Sequence, residues 1–187
     1  SGQEYLSGII EAMKHGNLVN ITYQSYWRKN SNTFDVEPYC VKLFKQRWYL
    51  IARSPYYDKV MTYALDRILD LEVLADEKFS MPDTFIPSEF FEEYYGVVFD
   101  EDLAVEKIKL KVSADQANYL RSLPLHHSQQ EMQTTDKYSI FELELCPTYD
   151  FYQEILRNGE EIEVLEPLWL RKEIAGEIEK MWDKYKS

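Results

Sequence analysis

Arg47 and Tyr49 stand two residues apart, and Tyr63 and Arg67 stand four apart around a chain reversal at Leu65-Asp66. A guanidinium holds a phosphate or carboxylate through two parallel hydrogen bonds, and a neighbouring phenol or indole offers a face on which a base can stack. With Arg47 and Tyr49 on the same side of one strand, these residues describe a site for an anionic, ring-bearing ligand. The same residue types have a plainer use. Tyr23, Trp48, Tyr49 and Tyr63 can fill a barrel core with Arg67 paired to a local acid, and spacing alone favours that use.

Other chemistry is hard to write from this chain. All six glycines are isolated, so neither a phosphate-cradling loop nor a dinucleotide fingerprint can be drawn, and GxSxG and HExxH are both absent. His126 and His127 are adjacent, which points them to opposite faces of a strand or about 100° apart on a helix, a poor start for one metal site. Cys40 and Cys146 lie far apart without CxxC spacing, which argues for reduced, packed thiols rather than a disulfide framework or a zinc site. The chain is therefore expected to be no enzyme and to need no cofactor or metal.

The elements that must position the candidates follow from periodicity. Residues 4–14 carry Leu6, Ile9, Ile10 and Met13 at helical spacing, with Gly16 as C-cap. Five short alternating segments come next, over 19–24, 34–40, 47–53, 60–64 and 69–73, which predicts a small β-barrel closing its own edges. Further on, Ile108, Leu110 and Val112 alternate with lysines, and Ser113 with Gln116 forms a capping box for a helix to about Leu123. Strands over 129–134 and 138–145, a helix capped by Thr148 and ending before Gly159, and a strand over 162–165 complete a β-α-β-β-α-β order, the ferredoxin-like arrangement. A last helix sets Leu170, Ile174, Ile178, Met181, Trp182 and Tyr185 on one stripe, which either covers its own module, the favoured use, or pairs with a second copy. The fold class is α+β: a helix plus a barrel at 1–78, an acidic linker at 79–103 and a ferredoxin-like module at 104–187.

Charge divides along the same lines. The 187 residues carry a net charge of −12, which disfavours indiscriminate duplex binding. From 17 to 70, however, eight basic residues face five acids, whereas 71–103 holds ten acids and only Lys78. A basic first module thus precedes an acidic connector. No apolar run is long enough to span a bilayer and no signal segment opens the chain, so a cytoplasmic, non-membrane protein is expected.

The stretch Arg47-Trp48-Tyr49-Leu50-Ile51-Ala52 contains the tripeptide that names the WYL domain. Around it stand Ile21-Thr22-Tyr23, Pro38-Tyr39 and Tyr63-Ala64-Leu65-Asp66-Arg67-Ile68 in the family's order, and the chain resembles that family. Pro124-Leu125-His126-His127-Ser128-Gln129 and the run from Gly159 to Pro167-Leu168-Trp169-Leu170-Arg171 resemble the C-terminal extension that accompanies it, so the likeness covers nearly the whole chain. The resemblance implies a Sm-like or SH3-like barrel in a bacterial transcriptional regulator, sensing a nucleotide-like or single-stranded nucleic acid ligand. It also implies a helix-turn-helix domain ahead of the barrel, which is absent from this chain, since only about 16 residues precede the first strand. Tyr49 and Arg67 match the family's tyrosine and Asp-Arg-Ile arginine, with Asp66, Tyr23 and Tyr63 beside them. Met61 and Ala64 stand where arginines are often found, so either Arg28, Arg47 or Arg53 supplies the missing cation or the ligand carries less charge. The alternative role is a protein-interaction or dimerisation module without a small ligand, with the chain as a homodimer.

Overall fold

In the computed structural model, residues 2–100 and 102–186 are described. The chain divides into two compact units, Ser1–Phe90 and Phe91–Ser187. Among the described residues no helix is long and apolar enough to cross a membrane.

The first unit opens with α1 (Leu6–His15), whose Ile9 and Ala12 are fully buried. Gly16 stops it at φ 63°, a left-handed conformation that costs glycine little, and its amide donates to the Ala12 and Met13 carbonyls. Five antiparallel strands follow: β1 (Asn17–Tyr23), β2 (Asn32–Phe44), β3 (Arg47–Ser54), β4 (Lys59–Ala64) and β5 (Ile68–Lys78), in the order β4-β3-β2-β1-β5. β2 runs further than its expected end at residue 40 because it changes partner. Its first part pairs with β1 through Val36, and from Glu37 onward it pairs with β3, with an irregularity between Pro38 and Cys40. Such an interruption bends a strand and lets one sheet curl around a core. That core holds Ile9, Val19, Ile21, Val36, Leu50 and Leu65. The 3-10 turn Leu65–Arg67 carries the chain from β4 to β5, and the Gln24 amide donates to the Arg67 carbonyl at 3.0 Å.

The second unit keeps the expected β-α-β-β-α-β order. After α2 (Pro87–Phe90) come β6 (Glu106–Ser113), α3 (Ala114–Ser122), β7 (Gln130–Thr134), β8 (Tyr138–Leu145), α4 (Tyr149–Arg157), β9 (Ile162–Glu166) and α5 (Leu168–Asp183). The sheet order β7-β8-β6-β9, antiparallel throughout, is ferredoxin-like. Ser113 caps α3 by accepting from the Gln116 amide, but the Gln116 side chain donates to Asn158 instead of returning to close the box. Thr148 holds the N-cap position of α4 without making a side-chain cap bond. On α5 only Leu170 and Ile174 are buried; Ile178, Met181 and Trp182, and Tyr185 just beyond the helix, are exposed, so the stripe covers its own module along only part of its length.

The acidic stretch at 79–103, expected as a linker, is shared between the units. In the first, Phe79 and Phe85 lie against Tyr39, and Phe90 against Phe85. In the second, Val97 is buried, and its amide and that of Val98 donate to Asp150 at 2.8 and 2.9 Å. The aromatic and apolar members of this stretch thus anchor its carboxylates to folded surface.

Candidate ligand-binding site

The curl of the first sheet brings Tyr63 of β4 against Tyr23 of β1, ring to ring at 5.3 Å and 81°, with Phe34 of β2 at 5.7 Å from Tyr63. Beside this aromatic contact lies a cavity of about 460 Å³. Tyr23, Phe34, Tyr63 and Met61 supply its apolar wall, and Ser25, Asn32, Thr33, Ser54 and Thr62 add polar groups. Arg28 and Arg67 bring positive charge, Tyr56 and Tyr57 come from the β3–β4 turn, and among the described residues no acid lines the wall. The volume falls within the usual range for small-molecule sites, about 300–1,000 Å³.

Tyr63 is buried, and burial, then the neighbouring Tyr23 and Tyr57, push its phenol up to about 12, so it stays neutral and protonated at physiological pH. The Tyr23 hydroxyl accepts the Ala64 amide at 3.3 Å, tying the end of β1 to the end of β4. Arg67 leaves the 3-10 turn with its guanidinium over the Tyr26 ring, 3.8 Å from the centroid. Its Nε is buried without a hydrogen-bond acceptor. Among the described residues, no carboxylate pairs with Arg67 or Arg28. In a chain with this excess of acid, two arginines at one aromatic cavity thus stand without a carboxylate partner among the described residues.

The remaining sequence candidates lie elsewhere. Arg47 Nε sits 3.1 Å from Asp66. Burial works against its charge, but Asp66 and the Tyr49 hydroxyl outweigh that and raise its pKa. Arg47, Tyr49 and Asp66 therefore form an ion-paired cluster outside the cavity wall. Arg53 is committed to Glu37, at 2.9 Å, and to Asp58. Its Glu37 partner also accepts from Tyr39, whose phenol burial and Glu37 raise to about 12. Of the eight candidates, Tyr23, Arg28, Tyr63 and Arg67 meet at the cavity. Met61, standing where an arginine was expected, lines it with a thioether.

Several wall residues escaped sequence reasoning, among them Tyr56 and Tyr57, together with Tyr26 behind Arg67. A usable signal was present: Tyr26-Trp27 and Tyr56-Tyr57 fall in short turns, where small polar residues are the usual choice.

Away from the cavity, His126 and His127 do not diverge as expected. They lie in a turn rather than a strand or helix, and their ring centroids are 4.1 Å apart. His126 Nδ1 is engaged with Ser128 Oγ at 2.7 Å. Burial raises the Cys40 thiol to about 11, away from the reactive thiolate. Among the described residues, no group of His, Cys, Asp and Glu side chains is arranged to hold a metal ion.

Comparison with known families places a WYL domain at residues 4–73 and a WCX domain at 104–182. This chain belongs to the WYL-domain proteins. The WYL match takes in α1 and the barrel through Val73, and the WCX match covers the ferredoxin-like sheet with its helices. Within the WYL unit, the eponymous tripeptide serves packing first: Leu50 is fully buried, and Trp48 lies against the same core.

No curated protein sequence matches the chain. Among solved structures, proteasome accessory factor B/C (PafBC) of Arthrobacter aurescens is 20% identical with a TM-score of 0.42, the match covering all of this chain and 28% of that one. A CRISPR Cas-related protein is 13% identical with a TM-score of 0.54, the match covering 98% of this chain and 52% of its own. The WYL–WCX chain thus spans about a quarter and about half of these two proteins, and the second likeness is one of fold.

Proposed function

We propose that this chain is the ligand-sensing part of a transcriptional regulator, and that its effector is a nucleotide or a single-stranded nucleic acid held in the WYL cavity. The observation that carries this reading is the pair Arg28 and Arg67, unpaired among the described residues, in an aromatic wall free of acid. Arg47, Tyr49 and Asp66 form a supporting cluster: Asp66 directly precedes Arg67 in the 3-10 turn, and its pairing with Arg47 keeps that carboxylate occupied. Effector binding acts as a population shift, favouring the conformation in which the cavity grips its ligand and passing that bias to the domain that contacts the promoter.

The test is a titration of the protein with short single-stranded DNA at two salt concentrations, for the wild type, Arg67→Ala and Tyr49→Ala. Affinity is expected to fall with salt as counterions are released, and to fall by about tenfold or more in Arg67→Ala, in which a charge-assisted contact is lost. Equal binding by the wild type and both variants would show that the site lies elsewhere.

A second reading rests on α5, whose exposed Ile178, Met181, Trp182 and Tyr185 favour a protein-association role for the WCX unit through self-pairing. Sedimentation of the wild type beside Trp182→Glu tests it: a dimer that dissociates in the variant supports this role, and a wild-type monomer at high concentration refutes it.

A further inference from the structure

The cavity has room for one small ligand, yet the aromatic side chains extend past its wall. Trp27 is 94% exposed, Tyr56 86%, Tyr26 70% and Tyr57 58%. A single exposed ring needs no explanation; four on the two turns that border one cation-lined cavity do.

Both turns are braced by local hydrogen bonds. In the β1–β2 connection the Trp27 amide donates to Ser25 Oγ and the Arg28 amide to the Ser25 carbonyl, while the Gln24 side chain donates to the Arg28 carbonyl at 2.7 Å. In the β3–β4 turn the Asp58 amide donates to the Ser54 carbonyl at 2.9 Å, and the Tyr56 and Tyr57 rings meet edge to face at 4.8 Å. Ser25 and Arg28 from one turn, and Ser54, Tyr56 and Tyr57 from the other, belong to the cavity wall. The exposed rings therefore sit on backbone continuous with the site.

Charge separates two kinds of occupant. Arg28 and Lys29 follow Trp27 directly and Lys59 closes the other turn, while the one acid there, Asp58, is held by Arg53. A partner that only covered apolar rings would need no cations between them. A chain alternating flat bases with phosphates needs both, since every base has a face to stack and every linkage a charge to neutralise.

We propose that the site is bipartite: the cavity takes one nucleotide, and Trp27 and Tyr56 stack the bases on either side of it. The effector is then a single-stranded polynucleotide of at least three residues rather than a free mononucleotide. This deepens the cavity reading above and rests on it.

The experiment titrates the full chain, by calorimetry at fixed low salt, with thymidine monophosphate, (dT)3, (dT)3 made abasic at both outer positions, (dT)8 and (rU)8. Intact (dT)3 is expected to bind about tenfold or more tightly than the mononucleotide, and the abasic form to lose most of that gain. Trp27→Ala, at an exposed position outside the cavity wall, should keep the wild-type melting temperature and mononucleotide affinity but lose about tenfold for (dT)3, and Tyr56→Ala, in the wall itself, should lose at least as much for (dT)3. Oligonucleotide should also quench tryptophan emission in the wild type and not in Trp27→Ala. A preference between (dT)8 and (rU)8 names the sugar, and tight binding of either supports the proposal. If the mononucleotide binds as tightly as (dT)8, or if the abasic form and both variants behave as the intact pair, the rings are idle and the bipartite site is refuted while the cavity reading stands. If no ligand binds at all, the cavity reading falls, and this proposal with it.

Discussion

Arg67→Met should leave the WYL unit as stable as the wild type, or more so. Methionine keeps most of the arginine's apolar stem and its packing, so little contact is lost along the side chain. What disappears is the guanidinium over Tyr26, worth about 0.5–1 kcal/mol at an exposed ring. What is relieved is a buried Nε without an acceptor, a defect that costs about 1–3 kcal/mol. The balance runs from roughly neutral to about 2.5 kcal/mol of stabilisation. Arg47→Met provides the contrast, because it strips Asp66 of a partner at 3.1 Å and should cost about 1 kcal/mol or less. Urea unfolding gives the midpoints, and native-state hydrogen exchange at the Leu50 amide, in the centre of β3, reports the WYL unit by itself. A loss of more than about 1 kcal/mol in Arg67→Met would show that the arginine holds the fold together, and the case for a residue kept for its ligand would collapse.

Leu50→Ala should destabilise the WYL unit by about 2–5 kcal/mol, read from the same exchange experiment, since the side chain is fully buried in the core. In the WCX unit, hydrogen bonds from Arg121, then Thr134 and Ser139, hold the Glu131 carboxyl at about 2, below its ordinary 4.5. This depressed group stabilises the fold fully above about pH 4.5, and the contribution is lost as pH falls towards 2. Carboxyl NMR should find Glu131 titrating in that low range, and higher in Arg121→Ala, where the Thr134 and Ser139 bonds remain; equal titration in both would refute the pairing. Gly96→Ala should lower the melting temperature of the WCX unit clearly, because Gly96 has φ 94° and an added Cβ would come 2.4 Å from Asp150 Oδ2, against the carboxylate that binds the Val97 and Val98 amides. An unchanged melt would show that the loop yields freely.

Much of this architecture was legible in residue patterns because the patterns are local. The strand at 138–145 sets Phe141, Leu143 and Leu145 against Glu142 and Glu144, Gly16 and Ser113 mark helix ends by their own chemistry, and the β-α-β-β-α-β order follows from such signals in sequence. What escaped depends on partners distant in the chain. β2 outruns its expected end because β3 takes it over from β1, and no local signal announces that exchange. Arg53 meets Glu37 and Arg47 meets Asp66 only through strand register and the path of the 3-10 turn, so which arginines stay unpaired was beyond spacing arguments. The run of acids at 79–103 masked Phe79, Phe85 and Val97, the side chains that fasten it.

Among the described residues β4 and β5, the two ends of the barrel sheet, share no ladder. They are joined through the turn that carries Arg67, and the cavity lies alongside, where Tyr63 meets Tyr23. A ligand gripping Arg67 and both tyrosines therefore acts as a clasp across the barrel's open seam. Occupancy then becomes measurable as heat resistance: effector at a hundred times its dissociation constant adds about 2.7 kcal/mol to the unfolding free energy. A melting screen over nucleotides and single strands therefore tests directly for a ligand of this kind.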